Sequence, residues 1–507
     1  MLVATKEMVN ALQFEFLSSG RMWPPPTEVD RLNRYAANKQ LFENKHQVVF
    51  AESLKRIEKV IGNWENIVSF AVDINYFRKI SLKTADLLFG ESPQIKAANG
   101  DENEQKFIDQ QIAKDEFINR CYMTAIDVSR YGAGIFYPFR DISGDVRIKS
   151  VAPSVWFPVF NADDVQETLC HIIAWDYPVF KNPGDTSSKA DYFLKVQIHV
   201  PGKYIERLYK LSYKRVTMSN DGRLGIKADN NGFNQTYSVD VKAISQLISE
   251  AVHDTGLTEI PIIPVLNIST SDYMLGYDDY DDIQSIIGEI EVRIAQVAKI
   301  LDQHAAPTMA VPMTACVQKD GKWTYKPSKA IPIHSKEDPI PQYITWNGQL
   351  DAAFQHIDLL FKQLYSLSEM GAVVWGDAEK LGNIPSGTAL RRMMMSTLAK
   401  INRIRMKFDP AMKKALTIAA ELKGVTLGEI STQWHDGLPT DDKESAEIIA
   451  LRTGNKATMS RQTAIERFDG ATKAAAETEI NAIDEDEAMQ NQLVPPVFNQ
   501  GDSGGGM

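Results

Sequence analysis

The sequence predicts a mainly helical α+β protein, and three observations carry that expectation. Apolar residues recur at alternating steps of four and three in three long stretches: Ile283 to Leu301, Leu350 to Leu364, and Leu390 to Phe408. Between Gly134 and Val239 the period changes to two, with Gly, Pro, Asp and Asn clusters bounding each run. A length of 507 residues, 44% apolar and 24% charged, supplies several packed cores, about three at 150 residues each.

The first 125 or so residues read as α-rich. Val60, Ile61, Trp64, Ile67, Val68 and Ala71 keep helical spacing, and Tyr76 to Phe89 forms a second stretch that stops at Gly90 with Pro93 behind it. GIFYPF, VWFPVF, CHIIAW, FLKVQIHV and YIERLYKLSY then read as strands of an antiparallel sheet. The connections 181–190 and 218–235, rich in Asn, Asp, Gly and Ser, read as exposed mobile loops.

After IPIIPVLN (260–267) an acidic YDDYDD opens the first long amphipathic helix, placing carboxylates at its positive end. Residues 307–347 carry six prolines and the hairpin pattern VQKDGKWTY, a small β-containing insertion. A second long helix returns from it to Gly371. Past a loop with four glycines, 371–387, the third stripe runs through Pro410, where the lost amide predicts a kink. Residues 441–490 read as a small polar helical subdomain, and the acids from Glu477 to Asp502, with no bases among them, predict a disordered tail.

Charge and motifs exclude several functions. A net charge of -11 argues against a general nucleic-acid coat. The three cysteines are far apart and in no metal or redox spacing, and no run approaches the roughly 18 apolar residues of a membrane span. GDSGG at 501–505 has the letters of a serine-protease nucleophile segment but sits in the flexible terminus, with no positioned base. Gly382 to Gly387 has P-loop spacing, yet Thr388 and Ala389 replace the phosphate-binding Lys and the magnesium hydroxyl. The Asp278 to Asp282 cluster lacks the glycine and the twelfth-position acid of a calcium loop, and the eight histidines form no metal spacing. No catalytic residues, cofactor or metal are expected.

One charge cluster interrupts the acidic background. Arg391, Arg392, Lys400, Arg403, Arg405, Lys407, Lys413 and Lys414 stand against Asp409 alone, +7 over the segment. Two readings stay open: these bases pair with the acidic helix 278–306, which carries -5, or some of them meet phosphates or neighbouring subunits.

KISLKTADLLFGESP, IPIIPVLNISTSDY and SGTALRRMMMSTLAK, in that order and spacing, make residues 70–470 resemble the portal proteins of tailed bacteriophages, in the branch with a clip between two stem helices. The resemblance implies a ring, typically a dodecamer, at one capsid vertex, through which double-stranded DNA is packaged and ejected. It implies a wing (1–270), a first stem helix (271–306), a clip (307–347) and a second stem helix (348–370). A tunnel loop (371–387), a basic kinked helix (388–425), a crown (426–490) and a disordered tail (491–507) complete the chain. Implied partners are the terminase large subunit, a head-tail adaptor, scaffolding protein and the major capsid protein, in the virion after assembly in the host cytoplasm, with no membrane. The other readings are a different head-tail connector or tail ring, or a terminase ATPase, which would need the P-loop.

Within that frame Ile287, Ile290, Ile294 and Val297 are expected at the subunit interface, because a helix in one chain has few partners for a whole stripe. Trp323, Tyr325 and Tyr343 on the clip are expected to dock partners. Lys380, Arg391 and Arg392 are expected to touch DNA phosphate.

Overall fold

The computed structural model describes the chain apart from residues 47–71, 99, 181–189, 220–235, 306–307, 311–315, 320–321, 326–341, 345–349, 377–386, 436–441, 455–456, 469–472 and 494–507. The predicted helix around Val60 to Ala71, residues 181–189 and 220–235 of the two Asn/Asp/Gly-rich connections and the 501–505 motif lie outside the described residues, while Ala190 belongs to a strand and Met218 and Ser219 to another. Two compact units form: Met1–Gly382 with Arg392–Gly437, and Asn383–Arg391 with Leu438–Met507.

The first unit opens with strand β1 (Leu2–Ala4), helices α1 (Lys6–Asn10) and α2 (Pro26–Phe42), α3 (Tyr76–Phe89), β2 (Gln94–Ala97), α4 (Glu102–Lys114) and α5 (Phe117–Tyr131). Asn75 caps α3 and Asp101 caps α4, each side-chain oxygen accepting from backbone amides of the first turn. Strands β3 (Ala133–Arg140), β4 (Val146–Val151), β5 (Trp156–Asn161), β6 (Thr168–Phe180), β7 (Ala190–Val200), β8 (Lys203–Ser219) and β9 (Thr236–Asp254) follow, then β10 (Ile263–Leu266), β11 (Ile268–Thr270) and β12 (Tyr273–Tyr277).

The large sheet has the order β1-β5-β6-β7-β8-β9, antiparallel except that β1 lies parallel to β5. Alternation decides its faces. Val159, Ile172, Val196, Ile198 and Ile205 point into one core with Phe14 and Trp23, while Trp156, Phe160 and Ile173 point into a second. A smaller sheet, β10-β3-β4, carries helices against it. There Phe136 packs against Phe117 and Phe408, with ring centroids 5.9 and 6.2 Å apart. Each such fully buried apolar side chain is worth about 1.5–3 kcal/mol.

Where α5 hands over to β3, two backbones cross in contact. Gly132 and Gly276 both have positive φ, +81° and +83°, and a Cβ on Gly276 would stand 2.0 Å from the Gly132 carbonyl oxygen. Only glycine fits either position.

The first long helix, α6 (Gln284–Ala305), begins later than the 271–306 segment expected, because 273–277 are spent on β12. Short strands β13 (Thr308–Ala310), β14 (Cys316–Lys319), β15 (Lys322–Tyr325) and β16 (Gln342–Ile344) pair as β13-β16 and β14-β15. Lys319 faces Lys322, the register that a two-residue connection dictates. Helices α7 (Asp351–Leu367), α8 (Ala372–Trp375), α9 (Gly387–Met393) and α10 (Met395–Lys423) follow, then β17 (Ile430–Gln433) beside β2.

The third stripe runs through its proline, as expected. Pro410 does not end α10, whose residues Phe408, Ala411, Met412 and Ala415 are buried around it, so packing holds the helix across the missing hydrogen bond. The helical run is instead interrupted at Met394, between α9 and α10.

The second unit contains α11 (Asp442–Thr453), α12 (Arg461–Phe468) and α13 (Lys473–Leu493). The acid-rich stretch from Glu477 is therefore helical to Leu493, where a disordered tail from that point is expected. Its Ala-rich start favours helix, and Arg461 pairs with Glu487 at 3.0 Å and Asp484 at 3.9 Å. Among the described residues no helix is long and apolar enough to cross a membrane.

Candidate functional site at the root of the 371–387 segment

The turn before α6 organises the site. Asp278 Oδ1 accepts the amides of Tyr280 (3.0 Å) and Asp281 (3.1 Å), and Oδ2 lies 3.3 Å from Arg34 Nε. Burial pushes the Asp278 carboxyl up to about 6, against the pull of Arg34. Asp279 points the other way, into the core. Its Oδ2 accepts the Ser129 hydroxyl at 2.6 Å, and its Oδ1 accepts Asn267 Nδ2 and pairs with Lys400 Nζ, both at 3.0 Å. The Tyr280 hydroxyl meets Ser81 Oγ at 2.8 Å, extending the network to α3.

Lys400, on α10, is 2% exposed. Besides Asp279 it donates to the Ser368 carbonyl at 3.1 Å, just past the end of α7. Ser368 Oγ in turn accepts the Met370 amide and the Trp375 indole N–H, each at 3.3 Å. The Gly371 amide donates to Thr397 Oγ1 at 3.0 Å. Glu369 holds φ +55°, and Arg403 grips both its carboxylate oxygens, a fork matched to a carboxylate. Lys79 closes the arrangement by donating to the Trp375 carbonyl. The start of α6, the end of α7 and the middle of α10 are thus joined where the 371–387 segment begins.

Most bases of the predicted cluster are used structurally. Arg403 grips Glu369, Arg405 donates to the carbonyls of Leu87 and His435, Lys413 pairs with Asp409 and Lys414 with Glu259. Asp279–Lys400 joins this cluster to the acidic helix segment. Arg391 and Arg392 are exposed, and Lys380 lies outside the described residues.

The interface expectation for α6 changes. Ile287 and Ile290 are fully buried within the chain itself, Val297 is buried and Ile294 is half-buried, because α7 and the neighbouring core cover the stripe. Trp323 stands opposite Gln318, Tyr325 opposite Cys316, and Tyr343 opposite Met309 on the other ladder. The three aromatics therefore do not share one ladder.

Sequence reasoning placed Lys400 and Asp279 in their charge clusters but did not single out their pairing, and it missed Ser368. A signal existed: Lys400 stands three residues after Thr397 and beside Ile401, on the stripe that faces the core. The Cys121 and Cys170 thiols are pushed up by burial, Cys170 to about 12, which leaves them unreactive. His46, Asp73 and Glu291 offer ligand atoms within 4.8 Å of one another. The His46 ring already bonds Glu291 Oε1 at 2.5 Å and the Leu41 carbonyl at 3.1 Å, an arrangement satisfied without an ion.

The chain is a two-unit α+β protein with long helices flanking a small β segment. The model of the phage portal protein family, SPP1 Gp6-like, matches residues 27–493, and the chain belongs to that family. Among solved structures it matches a chain from the virion of a native gene transfer agent particle, at 11% identity and a TM-score of 0.39, over 81% of this chain and 94% of that one. No curated protein matches it. The chain is accordingly a structural portal protein of the virion, part of an oligomeric assembly with capsid components, in the conduit through which double-stranded DNA is packaged and ejected.

Proposed function

We propose that the chain closes into a dodecameric ring through α7 and the exposed side of α6. One observation carries this. In the 17-residue α7 only Leu364 is buried by its own chain, while Phe354 (52%), Leu359 (51%) and Leu367 (48%) are exposed, with Leu301 (49%) on α6. Large apolar side chains left open on a helix, Phe354 on one side and Leu359 with Leu367 on another, need a partner, and in a ring the neighbouring subunits supply it. The interface therefore shifts from Ile287, Ile290, Ile294 and Val297 to these residues.

In this reading residues 1–270 are the wing, α6 and α7 the stem, 307–347 the clip, 371–387 the tunnel loop, 388–425 the basic helix and 426–490 the crown. Trp323, Tyr325 and Tyr343 dock the head-tail adaptor or the terminase large subunit, and the wing and crown meet scaffolding and major capsid proteins. Lys380, Arg391 and Arg392 give DNA a transient phosphate grip inside an otherwise acidic wall, which repels the backbone and lets it slide. The chain acts as a passive conduit, and a separate ATPase drives the DNA.

Negative-stain imaging of Phe354→Asp/Leu359→Asp tests the ring. Soluble, folded monomers without rings are expected, and rings at normal yield would defeat the assignment.

A further inference from the structure

We infer that Lys400 is a positioning residue that clamps the root of the 371–387 segment to the start of the first stem helix, so that displacement of one is felt at the other. An ammonium buried to this degree is costly unless every donor is used, and replacing a buried pair with apolar groups is often neutral for stability. The pair is therefore not explained by stability alone. Its distinguishing feature is what it joins. One ammonium bonds the Asp279 carboxylate, in the buried turn Asp278–Tyr280 ahead of α6, and the Ser368 carbonyl, three residues before Gly371. Asp279 is itself fixed from the wing side by Ser129 and Asn267, so it is a rigid post. Ser368, by contrast, is held by groups that belong to the segment root, Met370 and Trp375. Lys400 is the group on α10 that bonds both.

The inference deepens the tunnel-loop reading and rests on it only for the meaning of the motion, not for the clamp itself. Hydrogen exchange on assembled full-length rings without DNA tests the clamp directly. Three proteins are compared with the parent: Lys400→Met, Asp279→Asn and the double variant. In Lys400→Met the amides of 368–376 should exchange at least about tenfold faster, the change expected when a hydrogen bond from a charged donor is lost, and those of 280–287 should follow. Asp279→Asn should melt lowest, because it leaves a buried ammonium without its counter-charge. The double variant should recover melting temperature and yet keep the fast exchange at 368–376, a separation that a merely structural pair would not produce. Unchanged exchange at 368–376 in Lys400→Met, or an increase spread equally over α3, α5 and α10, would overturn the inference. Should that single variant not fold, the double variant carries the same test, and its unchanged exchange would overturn the inference equally. Because no DNA is present, this result is independent of whether Arg392 touches phosphate.

Discussion

Gly276→Ala should be among the most damaging single substitutions in the first unit. The new Cβ would sit 2.0 Å from the Gly132 carbonyl oxygen and 2.8 Å from its carbon, backbone atoms that cannot rotate away. Relief requires the two backbone segments to part by about 1 Å, given ordinary carbon–oxygen contacts of roughly 3.3 Å. That separation strains the bonds from the Asn267 amide to the Gly132 carbonyl (2.9 Å) and from the Asp279 amide to the Ser129 carbonyl (2.8 Å). Each bond lost in a buried setting costs about 1–3 kcal/mol. The left-handed φ of +83° adds about 1–2 kcal/mol for any residue with a Cβ. The sum is about 3–8 kcal/mol, in the range that unfolds marginal proteins. Gly424→Ala is the control: its φ is +79°, but nothing lies within 4 Å of the added carbon, so it reports the φ cost alone. Urea denaturation followed by circular dichroism measures both. If Gly276→Ala lost no more stability than Gly424→Ala, the crossing argument would be wrong.

Four further outcomes are expected. Burial raises the Asp127 and Asp278 carboxyls from 3.8 to about 6, so their contribution is full below pH 3.8 and lost as pH rises to about 6. Burial lowers His171 and His199 from 6.5 to about 3, so theirs is full above pH 6.5 and lost as pH falls. The two pairs oppose each other between pH 4 and 6, and in Asp278→Asn the stability slope there should exceed the parent's by about 1.4 kcal/mol per pH unit, read from denaturation series. Ile290→Asp should unfold the protomer instead of releasing folded monomers, visible as lost circular dichroism, since that side chain is fully buried in its own chain. Arg392→Ala, alone or with Lys380→Ala and Arg391→Ala, should lower packaging by assembled rings regardless of DNA sequence, and normal packaging by the triple variant would defeat the phosphate reading. Trp323→Ala should weaken adaptor or terminase attachment in a pull-down while rings persist; lost rings would instead make Trp323 part of the clip's own core.

What could be read from the sequence was what repeats. The stripes of α6, α7 and α10 announce themselves because three-and-four spacing has few other causes, and the Asp-Gly dipeptide fixes the Lys319–Lys322 register by turn geometry alone. Features set by distant partners were not legible. Strand β1 is three residues long and exists because β5 accepts it. Pro410 is a local helix breaker overruled by burial on both sides, whereas the interruption at Met394 has no Gly or Pro to mark it. The acids of α13 suggested an unfolded tail because composition hides the pairing with Arg461. The basic cluster was counted correctly but its partners were not, since a sum of charges does not say which carbonyl or carboxylate each base meets. Lys400 is the sharpest case: its position on the apolar stripe was visible, and its meaning depends on Asp279 and Ser368, far away in sequence.

The burial of Ile287, Ile290, Ile401, Ile404 and Phe408 inside one chain separates two equilibria that obligate oligomers merge. A subunit whose core is complete does not draw its stability from mass action with its neighbours, so its melting temperature should not depend on protein concentration. Subunits can then wait, folded, at low concentration and add to a growing oligomer already folded. The rate of assembly becomes a matter of encounter and of the exposed apolar side chains of α7, a quantity that salt, crowding or a helper protein can adjust without touching the fold.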